Sequence, residues 1–405
     1  NLAMSGVALL VILAFITSIF NPVDTPPPSA SELVAIPGLN PVIPLWWGLI
    51  GFIVALVIHE FGHGLLARGH GMRIRSFGLL QLGPLPLGAF AEPQAEELFK
   101  APRKERQRMF AAGPATNLFA AFAILLLLGG LAAQFSTNDQ TIHVRGIVKD
   151  QPADNAGMEP WDVIATINGT EVVGLDGFRT LMDNHQAGEN ITVGVIHDNG
   201  VSENLTITLG DKYQHYLSEG YTKSNLEILE VEPGDAFLGV EGMAQNTAGI
   251  DRLAGPLSPN KEFTLLERAL LTPIHVIQVM ILPFESQGVA MAPAEEAMLE
   301  TDDGWISSIL GKEGLLFMVN LLFWIMWVNI LLGFTNLIPM VPFDGGHMFK
   351  DMVHAGLSRF RAVGRKLKLW NFHPMWIDHW SRKASSYSSV MILFALLFTI
   401  FMPYF

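Results

Sequence analysis

Residues 46–67 read WWGLIGFIVALVIHEFGHGLLA, which places two histidines and a glutamate inside or beside a long apolar run. Residues i and i+4 of a helix share a face, so His59 and His63 can present two imidazole nitrogens to one metal ion. Glu60 lies between them, close enough to act as a general base on water at that metal. Ionisable side chains are costly at membrane depth, so this pattern favours a metal site over two unrelated surface histidines.

Long apolar runs recur along the chain and predict a polytopic α-helical membrane protein. Of the 405 residues, 50% are hydrophobic and only 16% are charged, and the mean hydropathy is +0.35. A helix that spans a bilayer needs about 20 mostly apolar residues. Runs that meet this length, or nearly so, cover residues 2–20, 43–66, 111–134, 315–341 and 387–405.

Composition also limits the available chemistry. The chain has no cysteine, which excludes disulfides, thiolate zinc ligands and cysteine nucleophiles. Any metal must therefore be held by histidine, aspartate or glutamate. The formal net charge of −13 argues against nucleic acid as a partner.

Positive charge in the short loops predicts how the spans are oriented. Residues 67–110 and residues 350–386 each contain eight Lys or Arg, so both segments are expected in the cytoplasm. Residues 21–44 contain seven prolines and no Lys or Arg, and they are expected to form an extended external linker.

A polar insert at 141–245 separates the third and fourth apolar runs. Its Asn-Gly pairs, which begin at Asn168 and Asn199, predict hairpin turns. Its short alternating runs predict strands, namely Thr141–Val148, Ile191–Ile196 and Leu205–Leu209.

Part of this insert resembles a PDZ domain. Residues 152–170, PADNAGMEPWDVIATINGT, are similar to the core of that family, with Trp161 where the family usually has a turn glycine. The resemblance implies a peptide groove flanked by a helix at 176–185. An unrelated small β-domain is the alternative.

A third metal ligand is predicted after the fourth apolar run, where residues 336–346 read NLIPMVPFDGG. Two prolines loosen the backbone before Asp344 and two glycines follow it, which suits a carboxylate ligand at membrane depth. Catalytic zinc generally takes three protein ligands and leaves one position for water. The alternative is an aspartate that only caps a helix at the interface.

These two motifs together resemble the site-2 protease family of intramembrane zinc metalloproteases. The segment GPATN at 113–117 resembles a further element of that family. The family usually has leucine immediately before the aspartate, where this chain has Phe343. The resemblance implies that His59, His63 and Asp344 bind one Zn²⁺ and that Glu60 activates the attacking water.

The resemblance also implies where a substrate would lie. Residues 78–93 would form a re-entrant β-hairpin whose edge receives the substrate as an added strand, and an interfacial loop is the alternative. His347 follows Asp344 by three residues, and a structural role beside the site is preferred to a ligand role. The substrate-binding residues expected on this basis are Asn336, Pro339, Pro342, Gly88 and Asn117.

The metal ligands constrain the stretch 264–284, an apolar segment interrupted by Pro273 and Pro283. His63 and Asp344 both stand at the C-terminal ends of spans, so these two spans must run in the same direction to share one ion. Residues 264–284 are therefore expected to lie along the outer membrane surface, which gives five crossings, an external insert and a site nearer the cytoplasm.

The predicted fold class is a polytopic α-helical membrane protein with a re-entrant β-hairpin and an inserted PDZ-like α+β domain. The expected domains are 1–42, an N-terminal transmembrane helix and Pro-rich linker; 43–140, the first half of the catalytic core; 141–245, the extracytoplasmic PDZ-like domain; 246–314, a segment with an interfacial helix; 315–350, the second half of the core; and 351–405, a basic cytoplasmic segment and C-terminal transmembrane helix.

The function expected from the resemblance is intramembrane metalloendopeptidase activity in a prokaryotic, archaeal cell membrane. Its partners would be single-span membrane-protein substrates and the lipid bilayer. The alternatives are a divalent-metal transporter and a catalytically silent PDZ membrane scaffold. A transporter would place further acidic or His residues in several spans, and residues 111–134 and 387–405 contain none.

Overall fold

The computed structural model describes residues 1–20, 29, 31–82, 85–137, 141–197, 200–286 and 288–402. Its helices, numbered in chain order, are α1 Leu2–Phe20, α2 Leu45–Gly69, α3 Ala95–Lys100, α4 Arg103–Ala132, α5 Pro152–Asn155, α6 Gly174–Met182, α7 Lys212–Ser218, α8 Lys223–Ile228, α9 Ala248–Ala254, α10 Leu265–Glu285, α11 Pro293–Met298, α12 Trp305–Asn336, α13 Asp344–Leu367 and α14 Pro374–Phe401; a 3₁₀ turn covers Gly255–Leu257.

Its strands are mostly short and lie between α2 and α12. They are β1 Ile74–Leu82, β2 Leu85–Pro93, β3 Phe135–Ser136, β4 His143–Ile147, β5 Val163–Ile167, β6 Thr170–Glu171, β7 Asn190–Ile196, β8 Ser202–Thr208, β9 Gly210–Asp211, β10 Ala236–Phe237, β11 Val240–Ala244 and β12 Glu300–Thr301.

The chain divides into two compact units, which are described separately. The first unit comprises residues 1–128, 269–290 and 318–405, and it contains the β1–β2 hairpin and most of the long apolar helices. The second comprises residues 129–268 and 291–317, and it contains the sheet of the polar insert.

Among the described residues, six helices are long and apolar enough to cross a membrane: α1, α2, α4, α10, α12 and α14. The chain is therefore an integral membrane protein, as its composition predicts. The helices α4 and α12 begin at Arg103 and Trp305, well before the apolar runs they contain. Helix α10 continues through Pro273 and Pro283, so length and composition alone do not separate it from the five predicted spans.

Helices α2 and α4 pack closely and run in opposite directions. The Asn117 side chain donates a hydrogen bond to the Ala55 carbonyl, whereas nearer the other end of the pair Gly62 lies against Ala112. A Cβ on Gly62 would lie 3.0 Å from the Ala112 carbonyl oxygen, so the glycine permits this close approach. The antiparallel pairing brings the start of α4 to the end of α2.

Helices α2 and α12 run in the same direction. Gly51, in the second turn of α2, lies against the backbone of Trp324, and His63, near the end of α2, meets Asp344 just beyond the end of α12. Two contacts in the same chain order fix a parallel arrangement. The direction matching that the sequence requires is thus present in the structure.

Helices α1 and α14 belong to the first unit and run in the same direction. Near the start of α1, Met4 packs with Leu337, close to the turn that carries Asp344. Near the end of α1, Phe15 makes edge-to-face contacts with Phe394 and Phe398, in the last turns of α14. Helix α14 therefore passes the turn that carries Asp344 near Ser385 and then runs away from it.

The predicted hairpin at 78–93 is present as strands β1 and β2, which pair antiparallel with Leu80 opposite Gly88. The hairpin contacts α2. Its turn residues, Gly83 and Pro84, lie outside the described residues. That the hairpin re-enters the membrane stays a prediction.

The insert is built around an antiparallel sheet of strand order β11-β4-β5-β7-β8, with β6 paired to β5. The predicted strands are confirmed, and so is the turn at Asn168-Gly169, where both residues have positive φ. Alternate side chains such as Ile164, Val193 and Val195 form its core. The pair at Asn199 lies outside the described residues, and the PDZ assignment stays a prediction.

Candidate metal centre

Three side chains from distant parts of the chain converge at one point of the first unit. His63 Nε2 and His59 Nε2 lie 3.1 Å and 3.3 Å from the same oxygen, Asp344 Oδ2. The two Nε2 atoms lie 3.1 Å from each other. His59 and His63 are 5% and 8% exposed, so the cluster is screened from solvent.

This triangle fits a zinc ion. Zinc binds imidazole nitrogen and carboxylate oxygen at about 2.0–2.2 Å in tetrahedral geometry, which separates neighbouring ligand atoms by roughly 3.3–3.5 Å. The three separations approach this value, and two neutral imidazoles with one carboxylate form an ordinary donor set for catalytic zinc. Within the described residues this is the group of His, Asp and Glu side chains that could hold a metal.

A backbone contact sets the tautomer of one ligand. His63 Nδ1 lies 2.8 Å from the Met109 carbonyl oxygen, which can only accept a hydrogen bond. Nδ1 therefore carries the proton, and the lone pair of Nε2 points toward His59 and Asp344. The Met109 carbonyl therefore fixes the tautomer and the orientation of this imidazole.

Glu60 lies on α2 between the two histidines and is half-buried. Its position in the helix turns its side chain away from the face that His59 and His63 share, yet keeps it beside them. A carboxylate so placed can receive a proton from water held near the ligands.

Helix α4 approaches the histidines through a residue without a side chain. A Cβ on Gly113 would lie 2.6 Å from His59 Nε2 and closer still to His63 Nε2. Only glycine therefore leaves room for both imidazoles and an ion between them. Sequence reasoning identified the segment GPATN but gave Gly113 no role, and its close approach depends on how two helices pack.

Asp344 is the first residue of α13, and the turn before it is held by α14. Ser388 Oγ donates to the Pro339 carbonyl at 2.8 Å, and the Val341 amide donates to Ser389 Oγ at 2.9 Å. Ser385 Oγ donates to the Gly346 carbonyl at 3.2 Å. Sequence reasoning missed these serines; the available signal was the polar run ASSYSS at 384–389 inside an otherwise apolar helix.

The residues predicted to bind substrate are placed as follows. Asn117 is fully buried and donates to Ala55 on α2, so its observed contact joins two helices. Asn336 ends α12 and donates to the Leu332 carbonyl within that helix. Pro339 and Pro342 lie in the turn before Asp344, and Gly88 lies in β2. Their roles toward substrate stay predictions.

His347 lies outside the metal-ligand group, as the preferred interpretation expected. Its ring stacks on Phe110, with centroids 4.7 Å apart and an interplanar angle of 11°. Phe110 directly follows Met109, whose carbonyl binds His63. The His347–Phe110 stack therefore supports the segment that orients a metal ligand.

The chain is similar to several known proteins. It shares 30% identity over 160 residues with a protein of Methanocaldococcus jannaschii that is named as uncharacterized, covering 40% of this chain and 42% of the relative. It shares 28% identity over 277 residues with a protein of Neisseria meningitidis named "Putative zinc metalloprotease", covering 55% and 60%. A Mesorhizobium japonicum protein of the same description is 22% identical over 347 residues, covering 76% and 87%.

The first two matches span less than two thirds of those relatives' own lengths. A model of the family described as "Peptidase family M50" matches residues 47–373, which include both histidines, Glu60 and Asp344. That match covers most of the chain and contains the whole cluster of metal ligands. This chain therefore belongs to peptidase family M50.

Proposed function

We propose that the protein is an intramembrane zinc metalloprotease that hydrolyses peptide bonds within transmembrane segments of its substrates. The observation that carries this proposal is the triangle of His59, His63 and Asp344, with Glu60 beside it and Gly113 leaving room for the ion. The ligand-bearing helices are long and apolar, which supports a site at membrane depth.

The residues divide the chemistry among them. When bound, zinc polarises the scissile carbonyl and makes water more acidic. Glu60 takes the proton from the attacking water and returns it to the leaving amine. The Met109 carbonyl keeps His63 in the tautomer that binds metal, and the burial of both histidines limits competing water.

The hairpin offers a means of presenting the substrate. A helical peptide bond resists attack because its carbonyl is shielded and hydrogen-bonded, so a spanning substrate must unwind first. Strands β1 and β2 pair with each other and contact α2, the helix of the histidines. A substrate strand added to one edge of this hairpin would be held extended near Glu60.

The decisive experiment uses purified full-length protein and a model single-span substrate, with and without a zinc chelator. Glu60→Gln should abolish cleavage while zinc content stays at the wild-type level, because it removes the base and keeps the three ligands. Glu96→Gln, an exposed glutamate of α3, is the matched control and should cleave normally. Near-normal proteolysis by Glu60→Gln would contradict the proposed role of Glu60 as the general base.

A second variant tests the ligand set. Asp344→Ala should lose zinc together with activity, because it removes one of the three ligands. Full zinc occupancy in this variant would place the third ligand elsewhere. Zinc flux into liposomes by the wild type, without any proteolysis, would instead favour the transporter alternative.

The helix directions support five crossings, and the eight Lys or Arg in each of the segments 67–110 and 350–386 support a metal site nearer the cytoplasm. Helix α4 ends where α2 begins, and α12 runs parallel to α2, so an element between α4 and α12 that crossed once would reverse α12. Gly288, just beyond α10, lies against the backbone of Pro41 and Val42, immediately before α2. Helix α10 is therefore proposed to lie at the outer surface.

Accessibility labelling tests this arrangement without background, because the chain has no cysteine. Glu262→Cys and Val289→Cys place thiols at exposed positions on either side of α10. Both should react with an impermeant reagent added from outside. Reaction of the Val289 site from the cytoplasmic side alone would show that α10 crosses.

The insert is proposed to be an extracytoplasmic PDZ-like domain that limits the size of the substrate's external part. Only about ten residues join α4 to its first long strand, so it would sit at the membrane surface. A cavity of about 510 Å³ lies between α6 and the edge strand β11, lined by Phe178, Met182 and Val240, which suits a peptide receptor as the alternative. If the domain excludes substrates by size, deleting 141–245 should allow cleavage of substrates with larger external parts. If the domain binds substrate peptides instead, the deletion should lower the rate of cleavage.

A further inference from the structure

A second polar site lies in the first unit, apart from the metal ligands. The start of α4, the middle of α13 and the start of α14 enclose a cavity of about 620 Å³. Four cations line it, Arg103, Arg106, Lys350 and Arg382, together with the carboxylates Asp351 and Asp378. The cavity therefore carries a surplus of two positive charges when its histidines are neutral.

The two carboxylates are already committed to other partners. Asp351 is 5% exposed and accepts two hydrogen bonds from the Arg106 guanidinium, at 2.8 Å and 3.2 Å. Asp378 Oδ1 lies 2.9 Å from His354 Nε2 and joins α14 to α13. These two pairs connect the helices that enclose the cavity, and they give both carboxylates a hydrogen-bond partner.

Three cations have no such partner. Within the described part of the chain, Arg103, Lys350 and Arg382 make no ion pair with a carboxylate, and the contact of Arg103 is with His354 Nδ1 at 3.4 Å. They come from three different helices and line one cavity. Cations that converge without a counter-charge repel one another, and an anion bound among them would relieve this repulsion.

The surroundings of the cavity place it at the depth of lipid headgroups. Trp376 and Trp380 lie on the same turns of α14 as Asp378 and Arg382, and tryptophan is enriched at membrane–water interfaces. Further along α14, Val390 is 65% exposed and continues an outward apolar surface. A ligand with a charged head and apolar tails matches both parts of this helix.

We propose that this cavity binds the phosphate headgroup of an anionic membrane lipid, with Lys350, Arg382 and Arg103 around the phosphate and the acyl chains along α14. Basic pockets between membrane helices on the cytoplasmic side bind such headgroups. The guanidinium groups offer paired donors to phosphate oxygens, and Lys350 adds a point charge. Inorganic phosphate carries the same charged group without acyl chains, so the experiment must distinguish lipid binding from phosphate binding.

The test measures binding to the purified full-length protein in nonionic detergent. Native mass spectrometry would follow titrations with short-chain phosphatidylglycerol, short-chain phosphatidylcholine and inorganic phosphate. The variant Lys350→Gln with Arg382→Gln removes two cavity cations. The control Lys366→Gln with Lys383→Gln makes the same charge change on α13 and α14 outside the cavity lining.

We expect one phosphatidylglycerol per chain, bound at least about tenfold more weakly by the cavity variant and within about twofold of wild type by the control. Lys350→Arg with Arg382→Lys should retain binding, since it preserves the charge, and circular dichroism should show all variants folded. Equal loss in the control would mean diffuse attraction and would overturn the site. Equal affinity for phosphatidylcholine would exclude recognition of the headgroup charge, and equal affinity for inorganic phosphate would exclude a lipid.

Discussion

Two regions of the molecule contribute side chains to the candidate metal centre, and they hold these side chains in place by different means. His59 and His63 come from a regular helix, α2, whose own hydrogen bonds fix their spacing. Asp344 comes from an irregular turn that depends on tight glycine contacts and on serines of another helix. Contacts within α2 therefore determine the spacing of the two histidines, whereas contacts with residues far away in the chain determine the position of Asp344.

This difference predicts where the centre is most vulnerable. A mutation that disturbs the turn before Asp344 should displace this candidate ligand. A mutation beside His59 and His63 should lower zinc binding only if the new side chain occupies the space of the ion. Three glycine or serine substitutions, each with a matched control on the same helix, test this contrast from the largest expected effect to the smallest.

Gly345→Ala should have the largest effect. A Cβ there would meet the backbone carbonyls of Leu337 and Ile338, which cannot move without shifting the turn and Asp344. Zinc affinity should fall by at least about tenfold, and proteolysis should fall with it. Gly356→Ala, also on α13 and with open space around it, should keep zinc and gain up to about 1 kcal/mol in helix stability.

The measurement for this pair is zinc content by elemental analysis beside the thermal unfolding midpoint. Unchanged zinc binding by Gly345→Ala would show that the turn adapts, and the contrast between the two regions would then fail.

Gly113→Ala should lose zinc while the fold is retained. Its Cβ would meet imidazole atoms rather than backbone, so the histidines can rotate away, but the room for the ion disappears. Gly130→Ala, on the same helix with nothing nearby, is the control. Wild-type zinc content in Gly113→Ala, measured alongside an unchanged unfolding midpoint, would argue that α4 does not border the ion.

Ser388→Ala should have the smallest effect of the three. It removes one hydrogen bond to the Pro339 carbonyl, worth about 0.5–1.5 kcal/mol. Proteolysis should fall by about two- to tenfold, mainly through weaker retention of zinc. Exposed Ser386 provides the control substitution. Equal rates for Ser388→Ala and Ser386→Ala at limiting zinc would show that the Ser388 hydrogen bond does not hold the turn.

The same contrast explains what the sequence could and could not predict. The helical spacing of His59 and His63 is a local pattern, and so is the Asn168-Gly169 turn with its flanking strands. Both appear in the structure as expected. Asp344 became recognisable as a ligand only through the motif around it and the demand for a third donor.

The missed features are contacts between segments far apart in the chain. Nothing near Ser388 indicates that it meets Pro339, and nothing near Arg106 indicates the buried pair with Asp351, which lies 245 residues away. A helix was expected at 264–284, and the structure has one at Leu265–Glu285, because proline in a long apolar segment weakens a helix without always ending it.

The separation of the ligands along the chain also bears on how the protein is made. His63 and Asp344 are 281 residues apart, and the serines of α14 that hold the turn are synthesised later still. While the ribosome is translating the insert, the growing chain contains two of the three candidate ligands, His59 and His63, but not Asp344. The proposed zinc site is thus incomplete until Asp344 has been made, and the turn that carries Asp344 gains its serine contacts only after α14 has been made.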